Sequence, residues 1–183
     1  MLADILKKYL ELYPEEQAEL SLFQSQINKD EDLTDRRNFH GHITAGGIVL
    51  SKRHDKVLLI HHKIFNKWFQ PAGHWEASDS DPLAAARREV VEETKVSIET
   101  YLPVLPVSPL VPLDIDSHPI PVNPAKNEAA HFHHDFRYVF IAKNMALEYQ
   151  ATEVYAAKWF DLNDPAATHV ERCLGKLTRL NLI

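Results

Sequence analysis

The sequence predicts one α/β domain, a mixed sheet with helices on both of its faces, preceded by an extra helical segment. Three observations carry this expectation. Strand-like runs come before and after a single well-marked amphipathic helix, and a last helix closes the chain, an order that suits a sheet covered on two sides. At 183 residues and 45% apolar content, one good core can be buried and a second domain would be cramped. The first 37 residues lack strand character and read as two helical pieces and a polar linker, which sets residues 1–37 apart from a domain at residues 38–183.

Taken in order, Leu2, Ile5, Leu6, Tyr9 and Leu10 recur at helical spacing. Pro14 divides this pattern, and the second piece runs from about Glu15 to Gln26. Their apolar stripes fit packing onto the sheet, and a homodimer contact stays open. His42 to Leu50 reads as a strand, and Gly46-Gly47 within it points to a bulge or a close backbone approach. Lys56 to His62 is a second strand, and Lys67 to Ala72 a short extended piece leading into an acidic loop. A helix starts at Asp81-Pro82, where Asp caps well and Pro suits the first helical position. Tyr101 to Lys126 contains seven of the eleven prolines, which argues against a central strand and for a surface excursion or a substrate-recognition loop. Strand character returns at His131 to Ala142 and Ala156 to Asp161, and a helix from about Pro165 to Leu180 follows.

The chemistry is concentrated between Gly73 and Val96 (GHWEASDSDPLAAARREVVEETKV). At about 100° per residue, Glu89, Glu92 and Glu93 fall on one side of the helix, opposite Leu83, Ala86, Val90 and Thr94. Carboxylates this close repel one another, and a hard divalent cation with oxygen ligands removes the conflict. A solvated acidic face supported by Arg and Lys would explain an isolated Arg-Glu-x-x-Glu-Glu. Its setting here, after PAGHWE and with a capped start, favours a metal-dependent phosphate site.

This stretch resembles the Nudix box: Gly, five residues, Glu, seven residues, then Arg-Glu-aliphatic-x-Glu-Glu-x-Gly-aliphatic. Gly73, Arg88, Glu89, Val90, Glu92, Glu93 and Val96 match it. Asp79 stands where the pattern has Glu, one extra residue separates it from Arg88, and Lys95 replaces the closing Gly. Either Asp79 or Glu76 could then be the outer carboxylate of the loop. A Gly at position 95 would suit a left-handed helix end, which Lys adopts only with strain.

The resemblance covers about His42 to Asp161 and implies an α/β/α sandwich around a mixed sheet. It implies a hydrolase of phosphorus-containing anhydrides that uses Mg²⁺, or Mn²⁺ in its place, on a small nucleotide such as a nucleoside diphosphate linked to another group. Glu92 and Glu93 would be metal ligands. Glu89 would be a further ligand or would orient the water, and the Ala72 carbonyl could add a ligand. Arg88 would pair with the glutamates, and Gly73 would admit backbone to metal or phosphate. Two other classes stay open: a Nudix binding or regulatory protein without catalysis, and an isopentenyl-diphosphate isomerase-like enzyme. The latter needs a reactive cysteine near substrate, and Cys173 is the only one here.

His131, His133 and Asp135 share one face of their strand and could form a transition-metal set or contact substrate. Glu128 is a candidate base outside the box, and Trp68 and Phe69 either stack on a nucleobase or belong to the core. Net charge of −6 argues against non-specific nucleic-acid binding. No run has the apolar length of a membrane span, and the N-terminus is too polar for a signal peptide. One cysteine suits a reducing compartment, so a cytoplasmic protein is expected.

Overall fold

The computed structural model describes residues 1–63, 66–124, 127–149 and 154–183. The strands are β1 His42–Leu50, β2 Lys56–His62, β3 Lys67–Phe69, β4 Ala72–His74, β5 Ile98–Tyr101, β6 Asp114–Ile120, β7 His131–Ala142 and β8 Val154–Asp161. The helices are α1 Leu2–Leu12, α2 Ser21–Asn28, α3 Pro82–Thr94 and α4 Glu171–Arg179, with 3₁₀ turns at Pro14–Glu16 and Pro165–Val170.

All eight strands form one mixed sheet. At its centre β1 and β7 run parallel, from His42↔His133 to Leu50↔Ile141. The other edge of β1 is shared: β4 pairs with Thr44 to Gly46, and β2 with Val49 and Leu50. Beyond β2 lie β3 and β8, and beyond β7 lie β5 and β6, all antiparallel to their partners.

Alternation sorts the side chains onto two faces. Ala45 and Val49 of β1, with Phe136 and Phe140 of β7, join a core shared with α1, α2 and α3. Ile48, Leu50, Val139 and Ile141 join a second core with Cys173, Leu174 and Leu177 of α4. The sandwich expected from the sequence is therefore formed. Ile5, Leu6, Tyr9 and Phe23 are buried within the same chain, so the stripes of α1 and α2 are covered intramolecularly.

Glycine earns its place in β1. A Cβ on Gly46 would sit 2.6 Å from the Pro71 carbonyl, and one on Gly47 would collide with Val90 of α3 and Phe140 of β7. These are close approaches, and β1 continues through them without a bulge. Asp81 caps α3 as expected, its side chain accepting from the Ala84 amide. Lys95 ends it in the left-handed region at φ 51°.

Two parts of the sequence reading need correction. The proline-rich segment is more than a surface excursion, because it contains β6, hydrogen-bonded to β7 from Asp114↔Arg137 to Ile120↔His131. Pro119 is accommodated because β6 pairs on one side only. Ala125 and Lys126, the end of that segment, lie outside the described residues. The second N-terminal helix also begins later than expected, at Ser21, after the 3₁₀ turn that Pro14 opens.

β6 brings carboxylates to the interior. Arg137 binds Asp114 at 3.0 Å, Asp116 at 2.7 Å and Asp135 at 2.9 Å. Asp114 also meets Lys176 of α4 at 2.6 Å, and Lys176 reaches Glu16 at 2.7 Å and the Tyr9 hydroxyl at 2.7 Å. Tyr9 in turn donates to Glu16. One polar network thus ties α1, the first 3₁₀ turn, β6, β7 and α4 together. No helix among the described residues is long and apolar enough to cross a membrane.

Candidate active site

The β1–β4 pairing fixes the geometry of the site. It places Gly73 opposite Ala45, on the sheet face that α3 covers. The space where a Cβ of Gly73 would stand is occupied by the Glu89 carboxylate; an added Cβ would lie 2.6 Å from Oε2 and closer still to Cδ and Oε1. Glu93, only 5% exposed, accepts from the Ala72 amide at 3.0 Å. The helix therefore does not simply present its acids to water. Two of its three carboxylates are seated against the β4 backbone, and Glu92 stands at the rim with half of its side chain exposed.

Arg88 organises the group. Its guanidinium donates to Glu89 Oε1 at 2.7 Å, Glu92 Oε2 at 3.2 Å, the His74 carbonyl at 2.8 Å and Asp79 Oδ2 at 2.9 Å. Asp79 also accepts from the Glu76 amide at 2.9 Å. Partial burial would raise the Asp79 carboxyl, but the Arg88 hydrogen bonds and the Glu76 amide outweigh it and hold it below its ordinary value. Asp79 thus buttresses Arg88, and Glu76 is the exposed acid of the loop. Glu89 is shifted the other way: burial raises its carboxyl, against the opposing pull of Arg88. A desolvated carboxylate with a second one beside it is a ready ligand for a hard cation. Glu89, Glu92 and Glu93 are thus the residues of α3 that could hold a divalent cation through oxygen.

Of the other sequence candidates, Ala72 is held to Glu93 through its amide. Glu128 pairs with Arg36 at 3.1 Å. Trp68 packs edge-on against Phe160, and Phe69 against the His169 ring. Cys173 is fully buried in the α4 core, where burial pushes its thiol up to about 12, the opposite of what a reactive thiolate needs.

The NUDIX domain family matches residues 41–179. The chain belongs to that family. A "Probable DHNTP pyrophosphohydrolase" of Lactococcus lactis subsp. cremoris (strain MG1363) is 30% identical over 159 residues, covering 86% of each chain. A NUDIX-family hydrolase structure from Clostridium perfringens superposes with a TM-score of 0.56 at 22% identity, covering 79% of this chain and 98% of its own. A C. elegans Ap4A hydrolase binary complex gives 0.54 at 16% identity, covering 76% and 97%. These two structural likenesses establish the fold. With the family model and the Lactococcus relative, the assignment of this NUDIX protein is that of a pyrophosphohydrolase.

The histidines fall elsewhere. His131 and His133 come together as expected, but Asp135 does not join them. Thr44 donates to Asp135 Oδ1 at 3.1 Å, and Gln70 and Arg137 donate to its Oδ2 at 2.9 Å each. The partner that replaces it is His42, which the sequence reading assigned only to a strand. Its ring stacks on His131 at 4.8 Å and packs beside His133 at 4.8 Å. The signal was present in the His-x-His pattern of β7, but the parallel β1–β7 register that brings in His42 joins positions ninety residues apart.

Proposed function

We propose that this NUDIX protein is a divalent-metal-dependent hydrolase that cleaves the pyrophosphate bond of a nucleoside diphosphate linked to another group. The observation that supports this most is the seating of Glu89 and Glu93 against the β4 backbone at Gly73 and Ala72, with Glu92 held to the same Arg88 at the rim. Glu92 and Glu93 would hold Mg²⁺, or Mn²⁺ in its place, with Glu89 completing the set or orienting the water. When bound, the metal screens phosphate charge and lowers the pKa of a coordinated water. Glu89, whose carboxyl is raised by burial, suits proton acceptance from the attacking water. Water adds to one phosphorus, and the bridging oxygen leaves with the other phosphate. Arg88 keeps the carboxylates apart and aligned, and Gly73 keeps the backbone close. The relative named for DHNTP supports a second substrate reading, so DHNTP belongs beside nucleoside diphosphate derivatives and triphosphates in any panel. A cytoplasmic setting accords with a single cysteine held as a buried thiol.

The test is phosphate release across that panel, with Mg²⁺ and then with EDTA, with phosphatase added so that new terminal phosphates are counted. Glu93→Gln should fold normally and lose at least about 100-fold in kcat/KM, the cost of a lost metal contact. A variant with normal turnover and unchanged Mg²⁺ dependence would remove Glu93 from this role.

A further inference from the structure

A second cluster lies at the same end of the sheet. Alternation directs His74 to the face opposite the one that Gly73 presents to Glu89, because its β1 partner is Thr44 rather than Ala45. On that face four strands contribute imidazoles. His42 comes from β1, His74 from β4, His118 from β6, and His131 and His133 from β7. Ring centroids lie 5.2 Å apart for His42–His74, 5.3 Å for His74–His133 and 5.9 Å for His118–His133.

Three of these rings are arranged as ligands. One ring nitrogen each from His42, His131 and His133 lies within 4.8 Å of the other two. His131 Nδ1 is 2.7 Å from the Ala129 carbonyl, and His42 Nδ1 is 3.2 Å from the Asn38 carbonyl. A carbonyl only accepts, so both rings carry their proton on Nδ1 and offer the Nε2 lone pair. Backbone carbonyls fix the tautomer and ring orientation of metal-binding histidines in this manner. His131 Nε2 and His133 Nε2 form a hydrogen-bonded pair at 3.1 Å, a spacing close to the roughly 3.3 Å between nitrogens on a tetrahedral ion with bonds near 2.05 Å. His42 Nε2 is the decisive atom. The residue is 1% exposed, and this nitrogen has no hydrogen-bond partner among the described residues. Buried polar atoms are nearly always paired, and an exception calls for an explanation such as an ion.

We propose that His42, His131 and His133 form a site for a borderline transition-metal ion, Zn²⁺ above all, separate from the carboxylate site on α3. Three neutral imidazoles and one open position match the donor set of open zinc centres. Imidazole nitrogen selects Zn²⁺, whereas carboxylate oxygen selects Mg²⁺, so one chain would hold two kinds of metal on opposite faces of one sheet. Burial, then the neighbouring imidazoles, hold His133 down at about 2, which keeps that ring neutral. The proposal does not depend on the hydrolase reading, since it concerns different residues and a different ion.

The experiment is competition for Zn²⁺ between the full chain and a chromophoric chelator, followed by Co²⁺ loading of the wild-type protein. The result expected is one Zn²⁺ per chain, unchanged in a Glu92→Gln/Glu93→Gln variant and weakened by more than the roughly 10–100-fold that losing a supporting partner costs in His131→Ala or His133→Gln. Circular dichroism checks that these variants are folded. Co²⁺ in the wild-type chain should give the intense visible bands of a four-coordinate nitrogen site, a readout that needs no variant. Absence of stoichiometric Zn²⁺ binding would overturn the proposal. So would weak octahedral Co²⁺ bands, or binding lost with the glutamates and kept without the histidines.

Discussion

Gly73→Ala separates the chemistry of the α3 site from its folding. The glycine has an ordinary backbone conformation, since no glycine in the chain has positive φ, so alanine strains nothing locally. Removing a glycine where alanine fits gains about 0.4–1 kcal/mol through the unfolded chain. Against this, the new Cβ would stand 2.6 Å from Glu89 Oε2, where ordinary contact begins at 3.4 Å. The obstacle is the far end of a flexible side chain, so Glu89 can rotate away at a cost of about 0.5–1.5 kcal/mol. The two effects nearly cancel, and net stability should change by less than about 1 kcal/mol. The carboxylate, however, must retreat by about 1 Å, and a misplacement of that size costs about 100-fold in rate. Thermal melts and kcat/KM on the same preparation provide the measurement: an unchanged melt with about a hundredfold loss of activity is expected. Wild-type activity would show that the position of Glu89 does not matter to turnover. An unfolded variant would show that the contact is rigid rather than yielding.

Two further predictions concern the scaffold. Lys95→Gly should relieve the left-handed helix end at φ 51°, adding about 1 kcal/mol and raising Tm by about 2–4 °C; a lower Tm would refute the strain argument. Arg137→Met should leave Asp114 and Asp135 buried without this cation and half-exposed Asp116 beside them, with a loss of about 3–5 kcal/mol in urea unfolding. A loss below about 1 kcal/mol would mean that the network is replaceable by apolar packing.

Much of this was legible in the sequence because it is local. The cap at Asp81-Pro82, the strand patterns of β1, β2 and β7, and the spacing of Glu89, Glu92 and Glu93 all lie within a few turns or pleats. The seating of Glu93 on the Ala72 amide was not legible, because helical angles alone place it beside Glu89 and Glu92 without saying which carboxylate faces the sheet. β6 was hidden by its own composition: Asp114, Asp116 and Pro119 look like a loop until Arg137 neutralises the acids and an edge position excuses the proline. Asp135 was misgrouped with the histidines for a related reason. Alternation puts it on their face, but its oxygens are claimed by Thr44, Gln70 and Arg137, and that claim depends on pairings between distant strands.

The polar network across α1, β6, β7 and α4 bears on the order in which the chain can assemble. Tyr9 and Lys176 are separated by 167 residues and Tyr9 and Asp114 by 105, so these bonds close only after very long loops have been drawn together. α1 precedes α4 in the chain, so its buried hydroxyl and the Glu16 carboxylate find their cation only when the later helix has been made. Until then α1 can rest on the sheet through Ile5 and Leu6, but the polar side of that contact stays open to water. An arrest before α4 docks would leave an N-terminal helix seated on its apolar face and unlatched on its polar one.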